Sequence, residues 1–217
     1  MPITKNVKMG SDPIKLGVLI SGRGSNLQAI IDAISAKTLD AEITVVISNR
    51  DDAAGLDRAR EAGIETLVLD HRDKKQFADR AQYDRELVRQ LKARNVSLVC
   101  LAGFMRLLSP VFIEAFPNAI LNVHPSLLPA FPGTEAQHQA WAHGVKVSGA
   151  TVHLVTSDLD AGPIINQAAV PLRDDDTPET LAARILVEEH RIYPEAVKIV
   201  LDGNWSLDGR RFVRGRS

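Results

Sequence analysis

Several features that would sort this 217-residue chain into a special class are missing from it. It has a single cysteine, Cys100, set in the apolar run Leu98-Val99-Cys100-Leu101. One thiol excludes an intramolecular disulfide and points to a reducing cytoplasm, with Cys100 itself read as a small buried hydrophobe. No stretch approaches the ~18 apolar residues of a membrane span. The opening segment, Met1 to Lys15, lacks the apolar core of a signal peptide. Residues 1–14 read as a disordered leader and 15–217 as a single domain, with lobes of about 15–115 and 116–217. Excess charge of one sign is also lacking. The formal net charge of −1 argues against a nucleic-acid-binding surface over the whole molecule. It leaves room for a local anion site built from backbone amides.

Metal and nucleophile motifs are missing too. There is no H-E-x-x-H, and His138 and His143 are too far out of step to share a helix face, so no metal is expected. The serine elbow G-x-S-x-G is absent. His71, His138, His143 and His153 read as structural or exposed. No internal repeat, low-complexity tract or linker is visible.

What remains is an ordinary globular composition, 45% hydrophobic and 24% charged. Leu16–Ile20 is a short apolar run ending at Ser21-Gly22-Arg23-Gly24, a strand entering a tight turn. Apolar residues at 27, 30, 31 and 34 then share one helix face. Strands over Ile43–Ser48, Ile64–Leu69 and Val96–Ala102 alternate with helices over Ala53–Ala62 and Asp79–Arg94. That alternation predicts an α/β fold, a Rossmann-like, mostly parallel twisted sheet with helices on both faces. Ligands bind such sheets at the carboxyl ends of the strands, which selects the loops Ser21–Asn26, Gly103–Leu108 and the segment after Leu121. Farther on, Gly149–Val155 reads as an alternating strand. Thr177-Pro178-Glu179 opens a helix that should run to about Arg191, ahead of Pro194, and Trp205–Val213 forms a terminal antiparallel hairpin around Asp208-Gly209.

Two clusters carry chemistry. Gly22-Arg23-Gly24-Ser25-Asn26-Leu27 follows a strand and opens a helix, where glycine allows close backbone approach and helix amides hold an anion. Leu27 stands where a dinucleotide loop has its third glycine, and no Lys-Ser/Thr pair follows, so a dinucleotide loop and a Walker loop both fail. A site for one phosphate monoester or a merely structural turn remain. The second cluster is Asn122-Val123-His124-Pro125. Alternate residues on an extended chain face one side, and Pro125 biases His124 toward that conformation. A donating amide beside an imidazole suits a developing oxyanion. Taken alone, the pair equally fits a satisfied core or loop histidine. Asp160, in Asp158-Leu159-Asp160-Ala161-Gly162-Pro163, would favour the imidazolium if it lay near His124; its other reading is a turn residue.

Together these segments resemble the folate-dependent formyltransferases, and within them the branch that formylates a phosphoribosylated glycinamide. The likeness runs through Val18–Ile30, Leu101–Pro110, Leu121–Pro129, Gly149–Pro163 and Glu189–Pro194, nearly the whole chain after the leader. It implies transfer of the formyl group of 10-formyltetrahydrofolate, a co-substrate, to the amine of N1-(5-phosphoribosyl)glycinamide in purine biosynthesis, without a metal. The same resemblance makes Asn122, His124 and Asp160 the catalytic residues. It gives Gly24, Ser25 and Asn26 to the substrate phosphate and Glu189 to the ribose region. Arg80 would face the folate, and Met105, Arg106, Leu107 and Leu108 with Thr156, Ser157, Asp158 and Leu159 would wall the pterin pocket. Partners would be these small molecules only, with no nucleic acid and no membrane, in a monomer or homodimer. The chain departs from the family pattern at Leu186, where relatives carry glutamine, at Glu135 in Thr134-Glu135-Ala136, where they often have histidine, and at Ala161, commonly glycine. A formyltetrahydrofolate deformylase shares the catalytic residues but usually has an extra N-terminal domain. A methionyl-tRNA formyltransferase would need a further C-terminal domain and a basic surface. A non-catalytic nucleotide-binding module would leave Asn122, His124 and Asp160 unexplained.

Overall fold

The computed structural model describes residues 13–73 and 75–215. Their contacts divide the chain into two compact units that meet in sequence between Leu121 and Asn122. Most of the expected leader lies outside the described residues; Pro13 is exposed and the first strand opens at Ile14.

The N-terminal unit alternates as expected: β1 (Ile14–Ile20), α1 (Ser25–Ser35), β2 (Ala41–Ser48), α2 (Gly55–Glu61), β3 (Thr66–Val68), α3 (Arg80–Ala93), β4 (Leu98–Leu101) and α4 (Pro110–Ala115). The strands lie in the order β3-β2-β1-β4, every pair parallel. They read as near-continuous apolar runs because both faces are covered, and Leu16, Val18, Leu19 and Ile20 are fully buried. Helix α3 starts where its sequence says it should. Asp79 accepts from the Gln82 amide at 2.8 Å while the Gln82 side chain accepts from the Ala78 amide at 2.9 Å.

Strand β5 (Ile120–His124) brings the chain into the C-terminal unit, which continues with α5 (Ala136–Ala142), β6 (Val147–Leu154), β7 (Ile164–Pro171), α6 (Pro178–Leu201), β8 (Trp205–Asp208) and β9 (Arg211–Arg214). Here β6 and β7 pair antiparallel, β7 meets β9 in parallel, and β8 and β9 form the hairpin expected around Gly209. The fold is thus mixed α/β, mostly parallel at its start, with antiparallel strands at its end.

Two expectations change. β6 is not alternating, for every residue from Ser148 to Leu154 is buried. Helix α6 packs against β6 and β7, so this antiparallel strand lacks the wet face that alternation needs. Nor does α6 stop near Arg191. It starts with the reciprocal Thr177–Thr180 cap and Pro178 in the first turn, then runs through Pro194 to Leu201. An interior proline costs about 3 kcal/mol. Ile192, Tyr193, Ala196 and Val197 bury their side chains completely on either side of it. At about 1.5–3 kcal/mol for each large apolar side chain buried, packing wins. The described residues include no helix long and apolar enough to cross a membrane.

Candidate active site

The glycine loop is built around a close approach of two backbones. Gly24 caps α1 at φ +69°, and a Cβ there would lie 2.5 Å from the Cα of Gly55, the first residue of α2. Glycine is therefore required for conformation and for space alike. The Gly55 amide donates to the Gly22 carbonyl at 3.0 Å, and Arg58 Nε donates to the Arg23 carbonyl at 3.0 Å, fixing the loop from the side of α2. Ser25 and Asn26 then open α1, at the end where helix geometry turns backbone N–H groups and the positive end of the dipole outward. Gly24 and Asn26 are buried and Ser25 is half-buried.

A buried polar chain ties this loop to the loops after the neighbouring strands. Ser21 Oγ donates to Asn49 Oδ1 at 2.6 Å and accepts from the Met105 amide at 2.8 Å. Asn49 Nδ2 lies 3.2 Å from His71 Nδ1. An amide nitrogen only donates, so His71 Nδ1 accepts and the ring is neutral in this arrangement. Burial and the nearby Arg106 guanidinium push the His71 pKa down, in agreement. The segment Met105–Leu108 is held at its start by Ser21 and just beyond its end by Asp84 Oδ2, which accepts from the Ser109 amide at 2.6 Å. Between these anchors Met105 and Leu107 remain 77% and 57% exposed, and Arg106 lies over the Tyr83 ring at 4.7 Å. Two large apolar side chains left to solvent on an anchored loop are what a flat apolar ligand would need. Arg80, the first residue of α3, is exposed.

In the C-terminal unit, β5 presents Asn122 and His124 on the same side, as the alternation requires. His124 Nε2 lies 2.8 Å from the Phe131 carbonyl oxygen, and its Nδ1 lies 3.5 Å from Asp160 Oδ2. A carbonyl only accepts, so Nε2 carries a proton and Nδ1 is the nitrogen turned toward the carboxylate. Asn122 Nδ2 is 3.3 Å from His153 Nε2, which is 3.8 Å from Asp160 Oδ1. The structure thus brings Asn122, His124 and Asp160 into one cluster, with His153 between the first and the last. Asp160 is at φ +48°, a conformation its short polar side chain tolerates, and Oδ2 accepts from the Gly133 amide at 2.8 Å. Phe131, whose carbonyl holds His124, is also left-handed at φ +53°.

A buried hydroxyl fixes the chain leaving β5. Thr151 Oγ1 donates to the Ser126 carbonyl at 2.6 Å and accepts from the Leu128 amide at 3.0 Å and Gln167 Nε2 at 2.9 Å. Thr156, Ser157, Asp158 and Leu159 form the loop from β6 to Asp160, in which Leu159 is 52% exposed. Arg210, in the terminal hairpin, donates to the Ala161 carbonyl at 2.7 Å and holds that loop beyond Asp160. Glu189 is buried on α6 and Leu186 is half-buried on the same helix. Glu135 sits at φ +57° as the N-terminal cap residue of α5. The residue that sequence reasoning passed over is His153. The available signal was a histidine inside the otherwise apolar run Val152-His153-Leu154-Val155, because a ring buried there must find polar partners.

Comparison with known proteins identifies the family. The formyl transferase family matches residues 14–197. Phosphoribosylglycinamide formyltransferase of Escherichia coli (strain K12) is 45% identical over 193 residues, covering 89% of this chain and 87% of that protein. The trifunctional purine biosynthetic protein adenosine-3 of Drosophila melanogaster is 49% identical over 191 residues, 87% of this chain, and the chain spans only 14% of that protein's length. Glycinamide ribonucleotide transformylase 1 from Symbiobacterium toebii superposes with a TM-score of 0.92 at 51% identity, over 98% of this chain and 99% of that one. With the match running through both units, this chain belongs to the formyl transferase family.

Proposed function

We propose that the protein transfers the formyl group of 10-formyltetrahydrofolate to the amine of N1-(5-phosphoribosyl)glycinamide, a step of purine biosynthesis. The observation that carries this reading is the buried cluster in which His124 Nδ1 faces Asp160 while Asn122 presents an amide beside it. The amine nitrogen attacks the formyl carbon, and the carbonyl oxygen gains the negative charge of a tetrahedral centre. An Asn122 N–H and a proton on His124 Nδ1 stabilise that oxygen. The C–N bond to the folate then breaks. The amine loses one proton, and the departing folate nitrogen gains one through His124, which Asp160 keeps oriented. Each side chain acts on charge that exists only during the reaction, which is how binding becomes rate. Gly24, Ser25 and Asn26 hold the substrate phosphate with backbone amides at the start of α1, the usual anion seat of a helix. Glu189 serves the ribose region. Arg80, Met105–Leu108 and Thr156–Leu159 serve the folate, and no metal takes part.

The test mixes the protein with 10-formyltetrahydrofolate and follows loss of the formyl group with and without glycinamide ribonucleotide. Consumption that depends on the ribonucleotide supports the transferase. Consumption without an acceptor identifies a hydrolase, and none at all leaves a binding module. His124→Ala should lower turnover by roughly 10²–10⁴, the range for losing an acid–base group. Near-normal turnover in that variant removes His124 from the mechanism.

A further inference from the structure

His153 is 2% exposed, so both of its ring nitrogens need partners. Nδ1 lies 2.9 Å from the Leu154 carbonyl oxygen, an acceptor, and therefore carries a proton. Nε2 lies 3.3 Å from Asn122 Nδ2, a donor, and therefore accepts. Asp160 Oδ1, at 3.8 Å, is beyond hydrogen-bond reach of Nε2. One state satisfies every contact, the neutral ring with its proton on Nδ1. Burial pushes the His153 pKa below its ordinary value, and the charge of His124 adds to this. The Leu154 carbonyl and Asp160 oppose it, and the net direction is downward. The ring therefore stays neutral at neutral pH.

The state of this ring decides which end of the Asn122 amide faces it. With Nε2 bare, the amide must turn a nitrogen toward the ring; turned over, it would set Oδ1 against a lone pair. A protonated ring would reverse the preference and draw its own N–H toward Asp160. Building on the proposed function, we propose that His153 is a positioning residue: as the neutral Nδ1–H imidazole it takes one Asn122 N–H and so fixes the second as the donor to the oxyanion. The Leu154 carbonyl acts as the lock, because it keeps the proton on the far nitrogen.

Nitrogen-15 NMR of the histidine rings reads the tautomer directly and does not need activity. His153 should show a protonated Nδ1 and a bare Nε2 at pH 7. A protonated Nε2 or an imidazolium there overturns the proposal. Kinetics form the second arm. His153→Leu should lower kcat about 10- to 100-fold, less than the ~10²–10³ lost with a donor itself. KM for both substrates should stay within about threefold. In an Asn122→Ala background the same change should cost less than about threefold more, since the amide it orients is gone. His153→Gln, whose Oε1 can accept the Asn122 N–H, should recover part of the loss. Losses that multiply independently, or an effect confined to KM, overturn the proposal. Should wild type show no formyl transfer, the proposed function fails, while the ring spectrum still decides the tautomer. The spectrum also decides if His153→Leu fails to fold.

Discussion

Replacing Asp160 with asparagine removes one charge and almost nothing else. Asparagine tolerates the left-handed backbone that Asp160 adopts at φ +48°. Its carbonyl oxygen can still accept from the Gly133 amide, now 2.8 Å from Oδ2. What goes is the attraction between the carboxylate and a proton on His124 Nδ1, 3.5 Å away. At an effective dielectric of ~20, unit charges at that separation attract by about 4–5 kcal/mol. Roughly half should survive as hydrogen bonding and reorganisation, leaving about 2–3 kcal/mol missing from the transition state. Each 1.36 kcal/mol is tenfold in rate, so kcat should fall by roughly 10². KM should move little, because the imidazolium is used during reaction and not in binding. The assay is the initial rate of formyl-donor loss at saturating acceptor, with a thermal melt as control. Tm should stay within about 2 °C of wild type. Asp160→Ala, which loses the left-handed tolerance, should melt lower. A kcat within threefold of wild type for Asp160→Asn would refute the electrostatic reasoning. So would a large fall in Tm for that variant, by showing that the carboxylate is structural.

Gly24→Ala combines a left-handed φ of +69° with a Cβ 2.5 Å from the Gly55 backbone. It should raise KM for the ribonucleotide about tenfold or more and lower stability by at least the ~1–2 kcal/mol of the backbone conformation; an unchanged KM counts against the phosphate assignment. Thr151→Val leaves the Ser126 carbonyl and Leu128 amide without the hydroxyl that joins them. A loss of ~2–6 kcal/mol is expected in urea unfolding, at ~1–3 kcal/mol for each of the two buried groups left unsatisfied, and less than ~1 kcal/mol would mean the segment re-pairs. His71 and His153 both have pKa values lowered by burial. Below the unfolded value of ~6.5 the unfolded chain therefore binds more protons, and stability should fall as pH drops from about 6.5 toward the lowered values. Melting at several pH values checks this, and substituting His71 by glutamine should flatten the slope.

The fold was legible where hydrophobic period and punctuation agreed. Leu16–Ile20 before a glycine turn, the helical segment from Asp79, and the Thr177 cap fall where the residues put them. Pro194 misled because the cost of an interior proline is local, whereas the burial of Tyr193 and Val197 that outweighs it is tertiary. Alternation in β6 failed for a similar reason, since a strand covered on both faces has no polar side to display. In the cluster, Asn122 and His124 could be paired from sequence because strand geometry fixes neighbours at i and i+2. Asp160 came from the resemblance and not from spacing. The Phe131 and Leu154 carbonyls fix the ring protons and the Gly133 amide holds the carboxylate, atoms every residue owns and no motif announces.

Those backbone atoms place one proton on each ring. The Phe131 carbonyl holds a proton on His124 Nε2, and the Leu154 carbonyl holds one on His153 Nδ1. The two rings thereby turn opposite nitrogens, Nδ1 and Nε2, toward the two oxygens of Asp160, at 3.5 and 3.8 Å. Two bare nitrogens facing one carboxylate repel it, and an additional proton relieves the arrangement wherever it lands. His153 Nε2 already accepts from Asn122, so a proton there would break a hydrogen bond and turn the amide. Among the described residues His124 Nδ1 has no such competitor, and it has the shorter approach to Asp160. On the proposed mechanism the transferable proton would sit on His124 Nδ1, while His153 would keep the Asn122 amide oriented.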